Sequence, residues 1–415
     1  MNNRAYALGV VMVALTMAAT IALRTFAEAA FLDHYGARWL PYLYVAHAVS
    51  LAAVTIGYDR LTQRAAVSAA DTGLLLGLGA VAAAAPAMVG LGGGAPAAMV
   101  LAVVALSSIA TLAVWNSVAA AVAGRDARRA LPRAGAAVTG GGALAGLGAV
   151  LLVPRFGATP LAYAAAVLIA IVAVVAVAQR RALAAGGAPG ATAPPGSAPT
   201  MSGDHRALVR WLFVAAVVEA AVATILEVRF NAAAQARWQG RDLAVGIGLF
   251  YGLSNAFLFV LQLGIVPRLL VTRRLPVTLS THPLALAAAT IGVVVMPGFT
   301  TLAAARVTDH VLRAATSRTG QEVSLSALPP VPRARWKVLL RGAATPLGTA
   351  AMGAALILAT ELDVTDLATL AAIAIGLMAI WLVVVRRAAR RFLAALATPL
   401  GLRGLAISGV ERTTF

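Results

Sequence analysis

Apolar residues occur along this chain in blocks of about twenty, the length that crosses a bilayer as a helix. Charged clusters or glycine and proline punctuate the blocks. The first runs over 5–26 and extends towards 32. Five more follow at 40–58, 70–91, 97–122, 134–153 and 158–178. The pattern then fails between 179 and 206, where Gly-Gly-Ala-Pro-Gly and Pro-Pro-Gly-Ser suit a flexible linker rather than a packed helix. Six further blocks occupy 207–228, 243–269, 276–296, 300–315, 338–360 and 367–385. The expected architecture is an all-α polytopic membrane protein with twelve transmembrane helices. Residues 1–178 form one six-helix half, 179–206 a cytoplasmic linker, 207–386 a second half and 387–415 a basic cytoplasmic tail.

Composition agrees, with 61% apolar residues, 12% charged and a mean hydropathy of +0.87. A soluble enzyme is excluded on these values. The charge of +18 could signal nucleic acid, so its distribution decides. With both termini inside, 26 of the 33 basic residues fall in inner segments, five fall outside, and Arg24 and Arg306 lie within spans. Cations retained on the inner side are the mark of membrane sidedness. One span missed or invented would invert every later loop and destroy that split. Dispersal over seven inner segments also argues against nucleic-acid binding, and the expected location is a bacterial inner membrane. The first block is longer than a signal-peptide core and carries Arg24 ahead of its small-residue site, so it reads as an uncleaved helix. The basic run from Arg386 to Arg391 suits an anchor to anionic lipid, with an interfacial helix over 392–405.

The absence of cysteine removes disulfides, Cys-ligated metal and thiol nucleophiles. Lys337, the only lysine, stands between Trp336 and Val338, which excludes a P-loop. The histidines are scattered, and neither His-Glu-x-x-His nor Gly-x-Ser-x-Gly occurs. No catalytic residue, metal site or cofactor is expected, and the chain reads as a non-enzyme. Gly140–Gly142 lies inside an apolar span with no strand before it, so helix packing explains it better than a dinucleotide fingerprint.

The two halves echo each other. Ala-Leu-Pro-Arg precedes Thr-Gly-Gly-Gly-Ala-Leu-Ala-Gly at 139–146, and Ala-Leu-Pro-Pro precedes Pro-Leu-Gly-Thr-Ala-Ala-Met-Gly at 346–353. Small residues four apart, as at Gly142 and Gly146 or Thr349 and Gly353, let helix backbones approach closely. This plan resembles the major facilitator superfamily. Short motifs resemble its ATP/ADP carrier, or nucleotide transporter, branch: Ala-Leu-Arg-Thr-Phe-Ala-Glu-Ala at 22–29, Tyr-Gly-Ala-Arg-Trp-Leu-Pro at 35–41, Trp115-Asn116, Arg-Arg-Ala-Leu-Pro-Arg at 128–133 and His310-Val311-Leu312-Arg313. The resemblance implies a secondary transporter or antiporter of a nucleotide or other phosphorylated solute. It also implies a central cavity lined by spans one, four, seven and ten.

Ionisable groups inside a bilayer are costly, at least ~2.5–3.5 kcal/mol each at its centre, and so mark function by default. In span ten Arg306, Asp309, His310 and Arg313 share one helical face. At ~1.5 Å per residue Arg306 lies roughly 10 Å below Phe299. Either this face binds solute, or Arg306 and Asp309 form a structural pair with His310 a bystander. In span seven Glu219 falls near the midplane and Glu227 two turns further out. A carboxyl at that depth fits either a proton-coupling group, because burial disfavours its charged form, or a salt bridge, with Arg306 the obvious partner. Span one carries Arg24 and Glu28 at i and i+4, near its outer end, where snorkelling also accounts for the arginine. In span four Trp115 and Asn116 could stack on and hydrogen-bond a base or sugar, or simply pack. Asn255 and Gln262 in span eight are expected to bond between helices.

The substrate-binding candidates are therefore Arg24, Trp115, Asn116, Arg306, Asp309, His310 and Arg313. Glu28, Glu219 and Glu227 are the coupling or ion-pair candidates. The expected function is alternating-access transport of an anionic or phosphorylated solute such as a nucleotide. The alternatives are a proton-coupled transporter of another small solute and a non-transporting scaffold of the same fold. The expected partners are the solute and the lipid bilayer.

Overall fold

Uninterrupted apolar sequence becomes uninterrupted helix, since a bilayer demands that every backbone group be bonded within its own segment. The computed structural model describes residues 3–64, 67–122, 127–185, 201–264, 275–364 and 366–397, and no strand occurs among them. The linker stretch 186–200 and the tail beyond 397 lie outside the described residues, and so does most of the expected interfacial helix. The helices of the first half are α1 (Asn3–Tyr35), α2 (Leu40–Arg64), α3 (Val67–Leu91), α4 (Ala95–Ala120), α5 (Ala127–Phe156) and α6 (Thr159–Ala185). Those of the second are α7 (Gly203–Arg237), α8 (Gly240–Gly264), α9 (Leu275–Val295), α10 (Phe299–Leu312), α11 (Arg318–Leu325), α12 (Pro330–Leu339), α13 (Thr345–Glu361) and α14 (Leu367–Ala397).

Among the described residues, eleven helical stretches are long and apolar enough to cross a membrane. The twelfth expected span, α10, is 14 residues long and carries Arg306 and Asp309, with Arg313 immediately after it. It nevertheless continues through one turn of π-helix, Arg313–Ser317, into α11. A second π turn, Leu340–Ala344, joins α12 to α13. Each wide turn leaves a carbonyl that a threonine hydroxyl five residues on reaches: Thr319 donates to Ala314 O at 3.4 Å and Thr345 to Leu340 O at 3.3 Å. Such turns are rare and concentrate at functional sites.

Packing resolves two compact units. The first comprises Met1–Ala191 with Val228–Pro267, the second Thr192–Glu227 with Arg268–Phe415. This partition differs from the expected one at 179–206, because α8 and the end of α7 belong with the first unit. The physical cause is glycine. A Cβ added at Gly146 of α5 would stand 2.3 Å from Gly252 N and 2.7 Å from Gly248 O of α8, a backbone approach no larger residue permits. One at Gly142 would meet the Asn255 amide at 2.9 Å. Gln262 joins the same helices, accepting from Thr139 Oγ1 at 3.2 Å. Asn255 instead donates to Tyr251 O of its own helix, at 2.8 Å.

In the second unit, α9 packs along α10 and α14. A Cβ at Gly348 of α13 would lie 2.2 Å from Val217 O of α7. Leu208, Leu212, Leu325, Leu328, Leu340 and Phe392 close one end of this unit as an apolar cluster. In span eleven Gly348, beside the expected Thr349, makes such an approach.

Candidate functional site

The i, i+3 and i+7 spacing along α10 does what helical geometry requires. Asp309 lies between two guanidiniums: Arg306 Nη1 donates to its Oδ2 at 2.6 Å, and Arg313 Nη2 reaches Oδ1 at 2.7 Å and Oδ2 at 2.5 Å. Arg306 spends its other arm on Glu227 of α7, Nη2 to Oε2 at 2.7 Å. Asp309 is 1% exposed and Arg306 6%, so these are charge-assisted bonds in a largely dehydrated place. His310 shares the face and is half-buried.

A residue absent from the sequence-based candidates completes the cluster. His282 of α9 is wholly buried, with Nδ1 2.8 Å from Ser317 Oγ in the π turn and Nε2 3.4 Å from Asp309 Oδ1. Its ring meets Trp381 of α14 edge to face at 4.7 Å. The signal for it was the polar stretch Thr-Leu-Ser-Thr-His-Pro at 278–283 inside an apolar span. Ser317 and Gln321, four and eight residues beyond Arg313, were missed as well, because neither carries a charge to mark it inside the span.

Glu219 of α7, 7% exposed, is the most weakly held carboxylate in the cluster. Gln321 Nε2 donates to its Oε2 at 3.4 Å, while His282 Nδ1 and Arg313 Nε stand 3.8 Å and 3.9 Å from its Oε1. Within the second unit, five predicted residues, Arg306, Asp309, Arg313, Glu219 and Glu227, thus form one connected network. It contains three carboxylates and two guanidiniums.

The other candidates belong to the first unit. Arg24 donates to Glu28 Oε1 through Nε at 3.0 Å and Nη2 at 2.8 Å. Tyr251 of α8 donates to both oxygens of Glu28 at 2.9 Å and presents its ring face to Arg24, 5.5 Å from guanidinium carbon to centroid. Arg24 is therefore fixed by more than snorkelling. On α4, Trp115 is half-buried and Asn116 exposed.

No known protein-family profile matches this sequence, and no curated protein matches it. Solved structures do. A POT family transporter in complex with 5-aminolevulinic acid superposes with a TM-score of 0.66 at 13% identity, over 91% of this chain and 95% of that one. A bacterial homologue of the iron transporter ferroportin, outward-facing, gives 0.59 at 14% identity, over 89% and 97%. The human organic anion transporter MFSD10 gives 0.63 at 13% identity, over 92% and 99%. At these identities the likeness is one of fold: the chain is an all-helical integral membrane protein with the major facilitator-like fold.

Proposed function

We propose that this protein is a secondary transporter of a small solute, working by alternating access, with the α10 charge network as its polar centre. The observation that carries this reading is the network itself. A chain with so few charges gathers five of them, three buried and two half-buried, along α7, α10 and the π turn that follows, in a fold that its solved neighbours use for transport. The sidedness of the basic residues supports cytoplasmic termini and a bacterial inner membrane.

The motif resemblance favours a nucleotide or other phosphorylated anion, for which Arg24, Trp115, Asn116, Arg306, His310 and Arg313 would be the contacts. Charge balance favours a different solute. Arg306 and Arg313 are engaged by Asp309 and Glu227, so both guanidiniums of the network already hold carboxylates. A polyanion would have to displace those carboxylates, whereas a neutral or cationic solute would not. We therefore place a neutral or cationic solute first and a nucleotide second.

A ligand-stabilisation screen of the purified protein separates them, since a ligand at about 100 times its Kd adds about 2.7 kcal/mol to apparent stability. Stabilisation by a neutral or cationic solute, lost in Arg306→Gln and Asp309→Asn, is the expected outcome. A response to nucleotides alone would reverse the order of the two solutes. A solute bound and transported equally well by both variants would remove the network from the site.

A further inference from the structure

Away from the charge network, the first unit carries an apolar cleft and, at one end of it, two arginines without a carboxylate. The cleft, about 230 Å³, lies between α3 and α6. Leu76, Gly79 and Ala80 of α3 and Ala166, Ile169 and Ala170 of α6 line it. Its depth comes from a missing side chain, since a Cβ at Gly79 would stand in contact with Ile169, 3.5 Å away. Nothing lies within 4 Å of a Cβ added at Gly73 or Gly77, so the α3 wall stays open down towards Thr72. Arg180 of α6 closes that end. Its Nε donates to Ala176 O at 3.2 Å, which lays the guanidinium back one turn along its own helix. Nη1 donates to Ser68 O and Nη2 to Thr72 Oγ1 at 2.7 Å, both on α3. All three acceptors are neutral. Arg181 is exposed, and among the described residues neither arginine makes an ion pair. Asp71, next to Thr72, is instead bonded by Tyr58 of α2 at 2.6 Å. At ~1.5 Å per residue, Leu76 and Ala80 stand roughly 6 Å and 12 Å above Thr72, and Ala170 roughly 9 Å above Ala176. Those heights fall within one leaflet of a hydrocarbon core ~30 Å thick.

We propose that this cleft seats an acyl chain of one anionic phospholipid, whose phosphate rests on Arg180 and Arg181. The sidedness of the basic residues puts this end of α6 inside, so the lipid belongs to the inner leaflet. The surface and the lipid are complementary at both ends. A phosphate supplies the negative charge that two adjacent guanidiniums lack, and the cleft lies where the chain below that phosphate must run. Arg180 has spent three of its five N–H groups and keeps two, while Arg181 keeps all of its own. A zwitterionic lipid brings its own cation beside the arginines and fits less well. A second copy of this chain fits worse, because two-fold pairing on this face would bring two such arginine pairs together. Selectivity thus comes from the headgroup and position from the cleft. Seated there, the lipid straps together the same two helices that Arg180 ties.

Photolabelling of the full-length protein in phosphatidylcholine nanodiscs tests this, the probe being a trace of phosphatidylglycerol with a diazirine on its acyl chain. The expected result is label enriched in the α3 and α6 peptides that hold Gly79 and Ala170. Added phosphatidylglycerol should suppress it, and the same amount of phosphatidylcholine should not. Arg181→Gln should lower the labelling about fivefold, and Arg180→Gln combined with it about thirty-fold, each basic residue at an anionic surface being taken at its ordinary worth. Arg180 ties α3 to α6, so the single Arg181 variant, which breaks no bond in the protein, carries the test where the double variant fails to fold. Ala170→Leu fills the cleft without touching a charge and should also remove the label. Label spread evenly over the exposed helices, suppression by phosphatidylcholine, or wild-type labelling in Arg181→Gln overturns the proposal. Suppression by glycerophosphoglycerol, the headgroup without chains, leaves an anion site and removes the cleft from it. An unlabelled cleft in a protein that migrates as a dimer gives this face to a second copy instead.

Discussion

Replacing Asp309 with asparagine preserves shape and removes the charge on which two arginines converge. The carboxylate lies 2.6 Å from Arg306 and 2.5 Å from Arg313 and is 1% exposed. At an effective dielectric near 20, each pair at ~4 Å between charge centres is worth about 4 kcal/mol before desolvation. Severing a buried pair by removing one partner costs about 3–5 kcal/mol. Arg306 keeps Glu227, and the Arg313 side chain, 23% exposed and 3.9 Å from Glu219, has water and a second carboxylate within reach. Asp309→Asn should therefore lose about 3–5 kcal/mol rather than twice that. Arg313→Gln should lose less, because Asp309 retains Arg306. The double variant should recover about 1–3 kcal/mol relative to the sum of the singles. Unfolding of detergent-purified protein by denaturant, with the four proteins of the cycle compared at constant detergent, reads these differences. Additivity within about 0.5 kcal/mol would show that Asp309 and Arg313 do not interact and would refute the network.

Gly348→Ala puts a methyl 2.2 Å from Val217 O, and Gly146→Ala one 2.3 Å from Gly252 N. Each should cost about 1–3 kcal/mol by overpacking, read as a lowered midpoint in the same assay, whereas Gly148→Ala, where nothing lies within 4 Å, should be tolerated. Tyr251→Phe removes the hydroxyl that donates to both Glu28 oxygens and should cost about 1.5–3 kcal/mol, the range for bonds to charged groups. An unchanged midpoint would mean that Arg24 alone holds Glu28. Glu322 accepts from Lys337 at 2.9 Å and Arg341 at 2.8 Å but is 41% exposed. Glu322→Gln should therefore change stability by less than about 1 kcal/mol, with the difference vanishing in high salt.

The spans were legible because hydrophobic length is a one-dimensional signal. Observed helices begin and end within a few residues of the apolar blocks, as at Leu275–Val295 against an expected 276–296. They overrun where the helix continues past the apolar block, as α7 does from Gly203 to Arg237. The α10 face was legible for the same reason, since three and four residues define a helical neighbour without any tertiary knowledge. His282 was not. Its partners Glu219, Asp309 and Ser317 come from three other segments, and a single histidine in an apolar span carries no spacing to read. The π turns were also hidden, because widening a turn by one residue changes the register of everything after it while leaving composition unchanged. The placement of α8 depends on mutual approach of glycines on two helices, a property of the pair and not of either sequence.

That difference in legibility bears on mechanism. Each ionisable group in a span costs at least ~2.5–3.5 kcal/mol at the bilayer centre, so five of them on α7, α10 and the π turn after it represent a large penalty unless they pair. Pairing explains four: Asp309 with Arg306 and Arg313, and Glu227 with Arg306. A network kept only to hold helices together would be cheaper without Glu219, since glutamine could keep a bond to Gln321 and impose no buried charge. Glu219, the carboxylate held least closely, is the part of the arrangement that structure alone does not require. It stands beside the one buried histidine that touches Asp309, at the turn where the helix changes its winding. A stability measurement separates the two roles: Glu219→Gln should stabilise the solute-free protein or leave it unchanged at neutral pH, whereas Asp309→Asn destabilises it. Equal destabilisation by both would make Glu219 an ordinary member of a structural salt bridge.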